Sequence, residues 1–172
     1  EERWKSFDEP AIKAAVEAAG ATYSPTDAKS DPAAQLNDID QLITGGADAL
    51  IILAQDKDAI LPAIEKAKQE GIPVIAYDRL IEDPGALYLT FDNIGVGRIM
   101  AEIIYGLVPA GNYAIIKGNQ ADANADFLRD GYEEVIGDAV TAGDITIVGE
   151  TYTDNWLPAN AQTNMDNCLT TT

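Results

Sequence analysis

The residues with the most chemical reach in this chain stand where apolar runs end. Asp78-Arg79 directly follows Ile72-Pro73-Val74-Ile75-Ala76-Tyr77, and Trp156, in Asp154-Asn155-Trp156-Leu157-Pro158, follows the apolar run 145–149. In open parallel sheets ligands bind outside the carboxyl ends of the strands, so polar groups there are better placed for function than charges along helix faces. Arg offers a rigid fork of donors and Asp offers acceptors, a pairing that can read adjacent hydroxyls on a sugar. The same two residues would also serve as a surface ion pair in a loop. A loop tryptophan offers a stacking face for the C–H side of a pyranose, with a gain of about 1 kcal/mol beyond burial by analogy with aromatic pairs. The other reading is a core ring packed beneath the loop, and Trp4, next to Arg3, faces the same choice.

Other motifs carry less. Asp122-Ala123-Asn124-Ala125-Asp126, with Glu133 further on, has the acidic spacing of a calcium loop, but Phe127 stands where that loop needs glycine. It reads better as a helix start capped by Asp122 or Asn124. Gly95-x-Gly97 lacks the third glycine of a dinucleotide fingerprint, since Met100 stands there, and reads as helix packing. No histidine is present, which removes the usual general base, the commonest metal ligand and every Ser/His/Asp or Cys/His arrangement. The single cysteine, Cys168, allows no internal disulfide and no zinc cluster. The carboxylates are too scattered to nominate a glycosidase pair. No catalytic residue, cofactor or metal is expected.

Those motifs need a scaffold, and 172 residues at 47% hydrophobic can build one α/β domain or two small lobes. Lys+Arg 11 against Asp+Glu 29 leaves a formal net charge of -18, which repels phosphate backbones and anionic headgroups. Nucleic acid is excluded as a partner, and no run approaches the ~18 apolar residues that span a bilayer. The chain opens at Glu1-Glu2-Arg3-Trp4 without methionine, compatible with removal of a leader upstream.

Helix-like amphipathic stretches alternate with short apolar runs, the pattern of βαβ units around a parallel sheet. The first helix should end near Ala19-Gly20 with Pro10 in its first turn, and Ala21 to Ser24 should form a strand. A helix from Pro32 to Thr44 follows, capped by Asp31 and stopped by Gly45-Gly46. Ala49 to Leu53 reads as a strand buried on both faces. Next come a helix from Asp58 to Glu70, strands at 72–77 and 86–90, and a helix from Ile94 to Leu107. A second series starts at Tyr113 and continues as helix 124–136, strand 145–149 and helix 157–169.

Taken together, Glu2-Arg3-Trp4, Glu70-Gly71-Ile72-Pro73-Val74-Ile75-Ala76-Tyr77-Asp78-Arg79, Phe91-Asp92-Asn93 and Asn155-Trp156-Leu157-Pro158-Ala159-Asn160-Ala161 resemble the D-xylose-binding periplasmic proteins, in order along almost the whole chain. The resemblance implies an α/β fold of two doubly wound, Rossmann-like lobes that close on a sugar. Residues 1–91 would form the first lobe and 92–172 part of the second, with a hinge at 91–93. It further implies that Trp4 and Trp156 sandwich the pyranose ring, while Arg3, Asp78, Arg79 and Asn124 hydrogen-bond its hydroxyls. Where the family commonly has Asp-Asn-Asn-Ala, this chain has Asp122-Ala123-Asn124-Ala125, so one Asn is lost and the matching one kept.

The implied function is reversible capture of a monosaccharide, D-xylose first, outside the cytoplasm for a membrane permease or sensor kinase. The family has a central strand ahead of Glu-Arg-Trp and a second lobe that continues further. Residues 1–172 are therefore expected to be an excerpt of a longer protein, to hold part of the site, and to fold and bind xylose poorly alone. The competing readings are the effector domain of a sugar-responsive repressor, which shares the two-lobed fold, and a carboxylate-dependent sugar hydrolase.

Overall fold

The computed structural model describes residues 3–171, and two parallel sheets, each with its own apolar core, organise them. Arg3 leads into a five-residue π-helical turn, Trp4–Asp8, continued by α1 (Glu9–Ala18) with Pro10 in its first turn. There the missing proline N–H costs nothing. Then follow α2 (Pro32–Thr44), β1 (Leu50–Ile52), α3 (Leu61–Gln69), β2 (Val74–Tyr77), β3 (Ala86–Leu89) and α4 (Asn93–Leu107). The second series is β4 (Gly111–Ile116), α5 (Asn124–Ala142), β5 (Ile145–Thr151), a 3-10 turn Asp154–Trp156 and α6 (Pro158–Thr171).

Side-chain caps start α2 and α4, whereas α5 starts from Ala123 with no side-chain cap, so neither Asp122 nor Asn124 is its N-cap. The Asp31 carboxylate accepts from the N–H groups of Ala33 and Ala34 and starts α2, and Asp92 accepts from Gly95 N–H and starts α4. Gly143 ends α5 at φ 84, a left-handed position that glycine adopts without a Cβ clash. The helix therefore runs past Ile136, where the sequence reading stopped it. A Cβ at Gly137 would meet only the Glu133 side chain, so that glycine does not break it.

The first sheet has the order β1-β2-β3, all parallel, with Leu50 opposite Val74 and Val74 opposite Ala86. Leu50, Ile52, Val74 and Ala76 are buried in one core with Ile39 and Ile43 of α2 and Ile64 of α3. The alternate row, Ile51–Ile75–Leu87, lies on the opposite side of the pleat, where Ile51 is 44% and Leu87 68% exposed. The 49–53 run is thus buried on one face, not two, because α2 and α3 cover only that face. Nor do Ala21 to Ser24 form a strand: among the described residues no neighbour pairs with them, and a strand without a ladder has nothing to hold its backbone extended. No residue of α1 is fully buried.

In the second sheet β4 and β5 pair in parallel with α5 as the crossover. A bulge between Tyr113 and Ala114 leaves Val148 without an opposite number. Helix α4 lies on α5 at backbone contact distance. A Cβ on Gly97 would strike the Leu128 carbonyl, and one on Gly131 would strike the Ile94 carbonyl. Gly97 is thereby explained as close packing, whereas Gly95 lies against the Asp92 cap, whose carboxylate a Cβ there would strike. The other side of α4 carries Val96, Ile99, Ile103 and Leu107, all exposed. Among the described residues no helix is long and apolar enough to cross a membrane.

Either Gly97→Ala or Gly131→Ala should force α4 from α5, because the obstructing atoms are backbone and cannot rotate away. The expected loss is about 1–3 kcal/mol, read as a lower urea midpoint by far-ultraviolet circular dichroism.

Candidate functional site

Strand β2 ends in a sharp reversal. Asp78 adopts φ 64, its N–H donates to the Leu89 carbonyl at 2.7 Å, and the Arg79 N–H donates to the Tyr77 carbonyl at 2.7 Å. A left-handed aspartate is held here by its surroundings. Its carbonyl accepts from the Thr90 hydroxyl at 2.9 Å and from Asn124 Nδ2 at 3.1 Å. Asn124, the first residue of α5, in turn accepts through Oδ1 from Asn93 Nδ2 at 3.0 Å and from Tyr88 Oη at 3.4 Å. One buried amide therefore joins the start of α5 to the ends of β2 and β3.

Arg79 makes the second link. Its Nη1 donates to the Ala54 carbonyl, just past β1, at 3.1 Å, and its Nε lies 3.0 Å from Asp122 Oδ2. Only 6% of Arg79 and 3% of Asp122 is exposed, so the two charges neutralise each other away from water. Trp156 Nε1 donates to the same Asp122 oxygen at 3.1 Å, while Asp122 Oδ1 accepts from Asn124 N–H at 3.0 Å. The Lys57 N–H also reaches the Ala121 carbonyl at 3.1 Å.

Trp156 is half-buried. Its six-membered ring lies on Gly118, at the end of β4, where any Cβ would collide with it. Asn155 and Trp156 both have left-handed backbones, φ 54 and 57, tied back by Trp156 N–H to the Thr153 carbonyl at 3.1 Å and by Thr153 N–H to the Gly118 carbonyl at 2.9 Å. This loop ring is neither free in solvent nor part of an apolar core.

The N-terminal pair approaches β2 from the other side. Arg3 Nη2 lies 3.4 Å from Asp78 Oδ1 and its Nε 3.2 Å from Asp8 Oδ2, with the guanidinium carbon 4.0 Å from the Trp4 ring centre. Trp4 also packs edge-on against Tyr77, with centroids 6.1 Å apart. Trp4 and Arg79 line a cavity of about 200 Å³ together with Asp27, Lys29, Ser30 and Gln55. Asp78, Asn124 and Trp156 do not line it. All of the nominated residues nonetheless join one network, through Trp4–Arg3, Arg3–Asp78, Asp78–Asn124, Asn124–Asp122 and Asp122 to both Arg79 and Trp156. Glu2 of the Glu-Arg-Trp motif lies outside the described residues.

The periplasmic binding protein domain model matches residues 1–172. The chain belongs to this family. Periplasmic binding proteins are solute-binding proteins, and the two relatives named below are periplasmic. It is 37% identical over 170 residues to the D-xylose-binding periplasmic protein of Escherichia coli, covering 98% of this chain and 51% of that protein. The corresponding Haemophilus influenzae protein is 35% identical over 170 residues, with the same shares covered. Among solved structures, an ABC transporter solute-binding protein from Clostridium phytofermentans with bound β-D-glucose superposes with a TM-score of 0.89 at 30% identity, covering 98% of this chain and 56% of that one. The chain thus spans about half the length of the curated relatives it matches.

Asp122 is the residue of this binding protein that sequence reasoning undervalued, taking it for a helix cap. It does accept from Asn124 N–H, but its other oxygen carries Arg79 and Trp156. The available signal was its position beyond β4, at the same kind of strand end that drew attention to Asp78. Asp126, its partner in the calcium-like spacing, turns elsewhere: it accepts from Tyr152 Oη at 2.6 Å and lies 3.7 Å from Lys117 Nζ. Glu150 joins that second group, 3.2 Å from Lys117 Nζ and 3.1 Å from Arg129 Nε. Burial alone would raise the Glu150 carboxyl, yet the two cations outweigh it and hold it below its ordinary value. The turn before α2 was also missed. Lys29 and Ser30 there have φ 51 and 63, and Lys29 N–H donates to Asp27 Oδ1 at 2.9 Å.

Burial raises the Asp78 carboxyl above its ordinary 3.8, against the opposing pull of Arg3. The folded chain therefore holds that proton more tightly than the unfolded chain. Ionised Asp78 subtracts from stability once pH exceeds the folded-state value and subtracts nothing below the ordinary one. Asp78→Asn should accordingly be more stable than the parent at neutral pH, with the advantage shrinking to nothing as pH falls below 3.8. Urea midpoints from about pH 3 to about pH 8 measure this.

Proposed function

We propose that the full-length protein reversibly binds a monosaccharide, D-xylose first among candidates, between two lobes that close on it. Residues 1–91 contribute the first lobe and 92–172 part of the second, with Phe91-Asp92-Asn93 as a hinge crossing. The observation that carries this reading is the convergence of Arg3, Trp4, Asp78, Arg79, Asn124 and Trp156 on the strand ends of both sheets, in a single polar network flanked by two aromatic rings. Guanidinium forks and carboxylate acceptors suit vicinal hydroxyls, and the tryptophan faces suit the C–H side of a pyranose. The chain spans about half the length of these relatives, so the sugar preference belongs to the whole protein.

Xylose heads the list because two relatives named for it align over 98% of this chain. Glucose competes, since it occupies the Clostridium structure. The similarity to ABC transporter solute-binding proteins supports delivery to a permease. A fructose-binding periplasmic domain of a hybrid two-component system superposes at TM-score 0.85 and 26% identity, which supports a membrane sensor as the other recipient.

Calorimetric titration of the full-length protein with D-xylose, D-glucose, D-ribose and L-arabinose tests the proposal. Heat with xylose or glucose supports it, and silence with every sugar ends it. In the same assay Trp156→Ala should weaken binding about tenfold or more, the scale of a buried aromatic anchor. Unchanged affinity would place that ring outside the site.

A further inference from the structure

We infer that Asp122 is a positioning residue that ties the first lobe to the stacking ring of the second, so that lobe closure and the seating of Trp156 are one event. One guanidinium and two hydrogen-bond donors, from separate parts of the fold, meet on its carboxylate. Arg79 Nε comes from the end of β2 at 3.0 Å, Trp156 Nε1 from the turn after β5 at 3.1 Å, and Asn124 N–H from the start of α5 at 3.0 Å. Only the first crosses from residues 1–91 to residues 92–172. The other two fix the carboxylate in the second lobe and aim it across the cleft.

Arg79 is anchored on its own side as well, through Nη1 to the Ala54 carbonyl at 3.1 Å. The bridge is therefore short and stiff at both ends. It is also dry, with 8% of the Arg79 side chain and 3% of the Asp122 side chain exposed. A charge pair in such surroundings is strongly favoured over either charge left alone, because breaking it by removing one partner strands the other without water. Opening the cleft separates the pair and returns both groups to solvent. Three neutral bonds cross beside it: Lys57 N–H to the Ala121 carbonyl at 3.1 Å, Asn124 Nδ2 to the Asp78 carbonyl at 3.1 Å and Tyr88 Oη to Asn124 Oδ1 at 3.4 Å. Segment 121–124 thus carries a run of protein-to-protein crossings with Asp122 as its charged member. Arg79 cannot take its place without drawing in Asp122, and Asp122 carries Trp156 with it.

The two-lobe closure invoked here rests on the proposed function; the bridge itself does not depend on which ligand binds. The test uses the full-length protein with spin labels on cysteines introduced at the exposed positions Glu70 and Asp138, one in each lobe, and reads the interlobe distance without sugar. Asp122→Asn, which keeps the shape and removes the charge, should shift the distribution towards longer distances. Where a sugar binds, the same variant should weaken it about tenfold, chiefly by faster release. Asp126→Asn, an equal change of charge whose partners Lys117 and Tyr152 lie in the second lobe alone, should leave the distances as in the parent. Arg79→Met, which breaks the bridge from the other side, should reproduce the shift. An unchanged distance distribution in Asp122→Asn overturns the inference, whether or not a sugar binds. So does loss of the native circular dichroism spectrum in both bridge variants, which would make the pair a folding element. If the parent binds no sugar and the bridge variants still open, the sugar reading fails and the coupling stands.

Discussion

A buried arginine–carboxylate pair governs this site. Taking Arg79 and Asp122 out of water costs several kcal/mol per ion, and only their mutual attraction plus further hydrogen bonds offsets it. The Ala54 carbonyl, the Trp156 indole and the Asn124 backbone supply those bonds. Each belongs to a different element, so the pair forms only when the ends of β1 and β2, the start of α5 and the turn after β5 are all in place. A chain with net charge -18 has carboxylates in excess, and burying one of them requires a cation that cannot readily deprotonate. Arginine meets that need where lysine would be prone to lose its proton.

Backbone strain sits beside the same pair. Asp78, Asn155 and Trp156 occupy left-handed conformations, at roughly 1–3 kcal/mol each for side chains that dislike them. The strain persists because each carbonyl or N–H nearby is held from outside the turn: Thr90 and Asn124 on the Asp78 carbonyl, Gly118 on Thr153. Such turns let consecutive residues at a strand end present side chains to one junction, which regular extended backbone would send to opposite faces.

The packing behind the junction is uneven. One face of the first sheet is sealed by α2 and α3 and holds the largest core, whereas the row Ile51–Ile75–Leu87 and the outer side of α4 remain largely open. Rigidity near the site therefore comes from the sealed face and from the glycine-mediated contact of α4 with α5. Because α5 carries Asn124 at its first residue, that contact bears directly on where the amide sits.

The sequence by itself determined the alternation of helices and parallel strands, the capped start at Asp31, and the strand-end placement of Asp78-Arg79. Caps, glycine stops and apolar runs are local physics, legible within a few residues. Family-level motifs also brought out Arg3, Trp4, Asn124 and Trp156, which no spacing rule alone would have joined. Only the tertiary structure decided what each residue faces. Ala21 to Ser24 looked like a strand and is not one, since pairing depends on a neighbour that local sequence cannot report. Ile51 looked buried and is exposed, since burial depends on which helices fold back. Asp122 looked like a cap and proved to be the hub, because its partners lie 43 and 34 positions away, and charge complementarity at that separation leaves no periodic trace in the sequence.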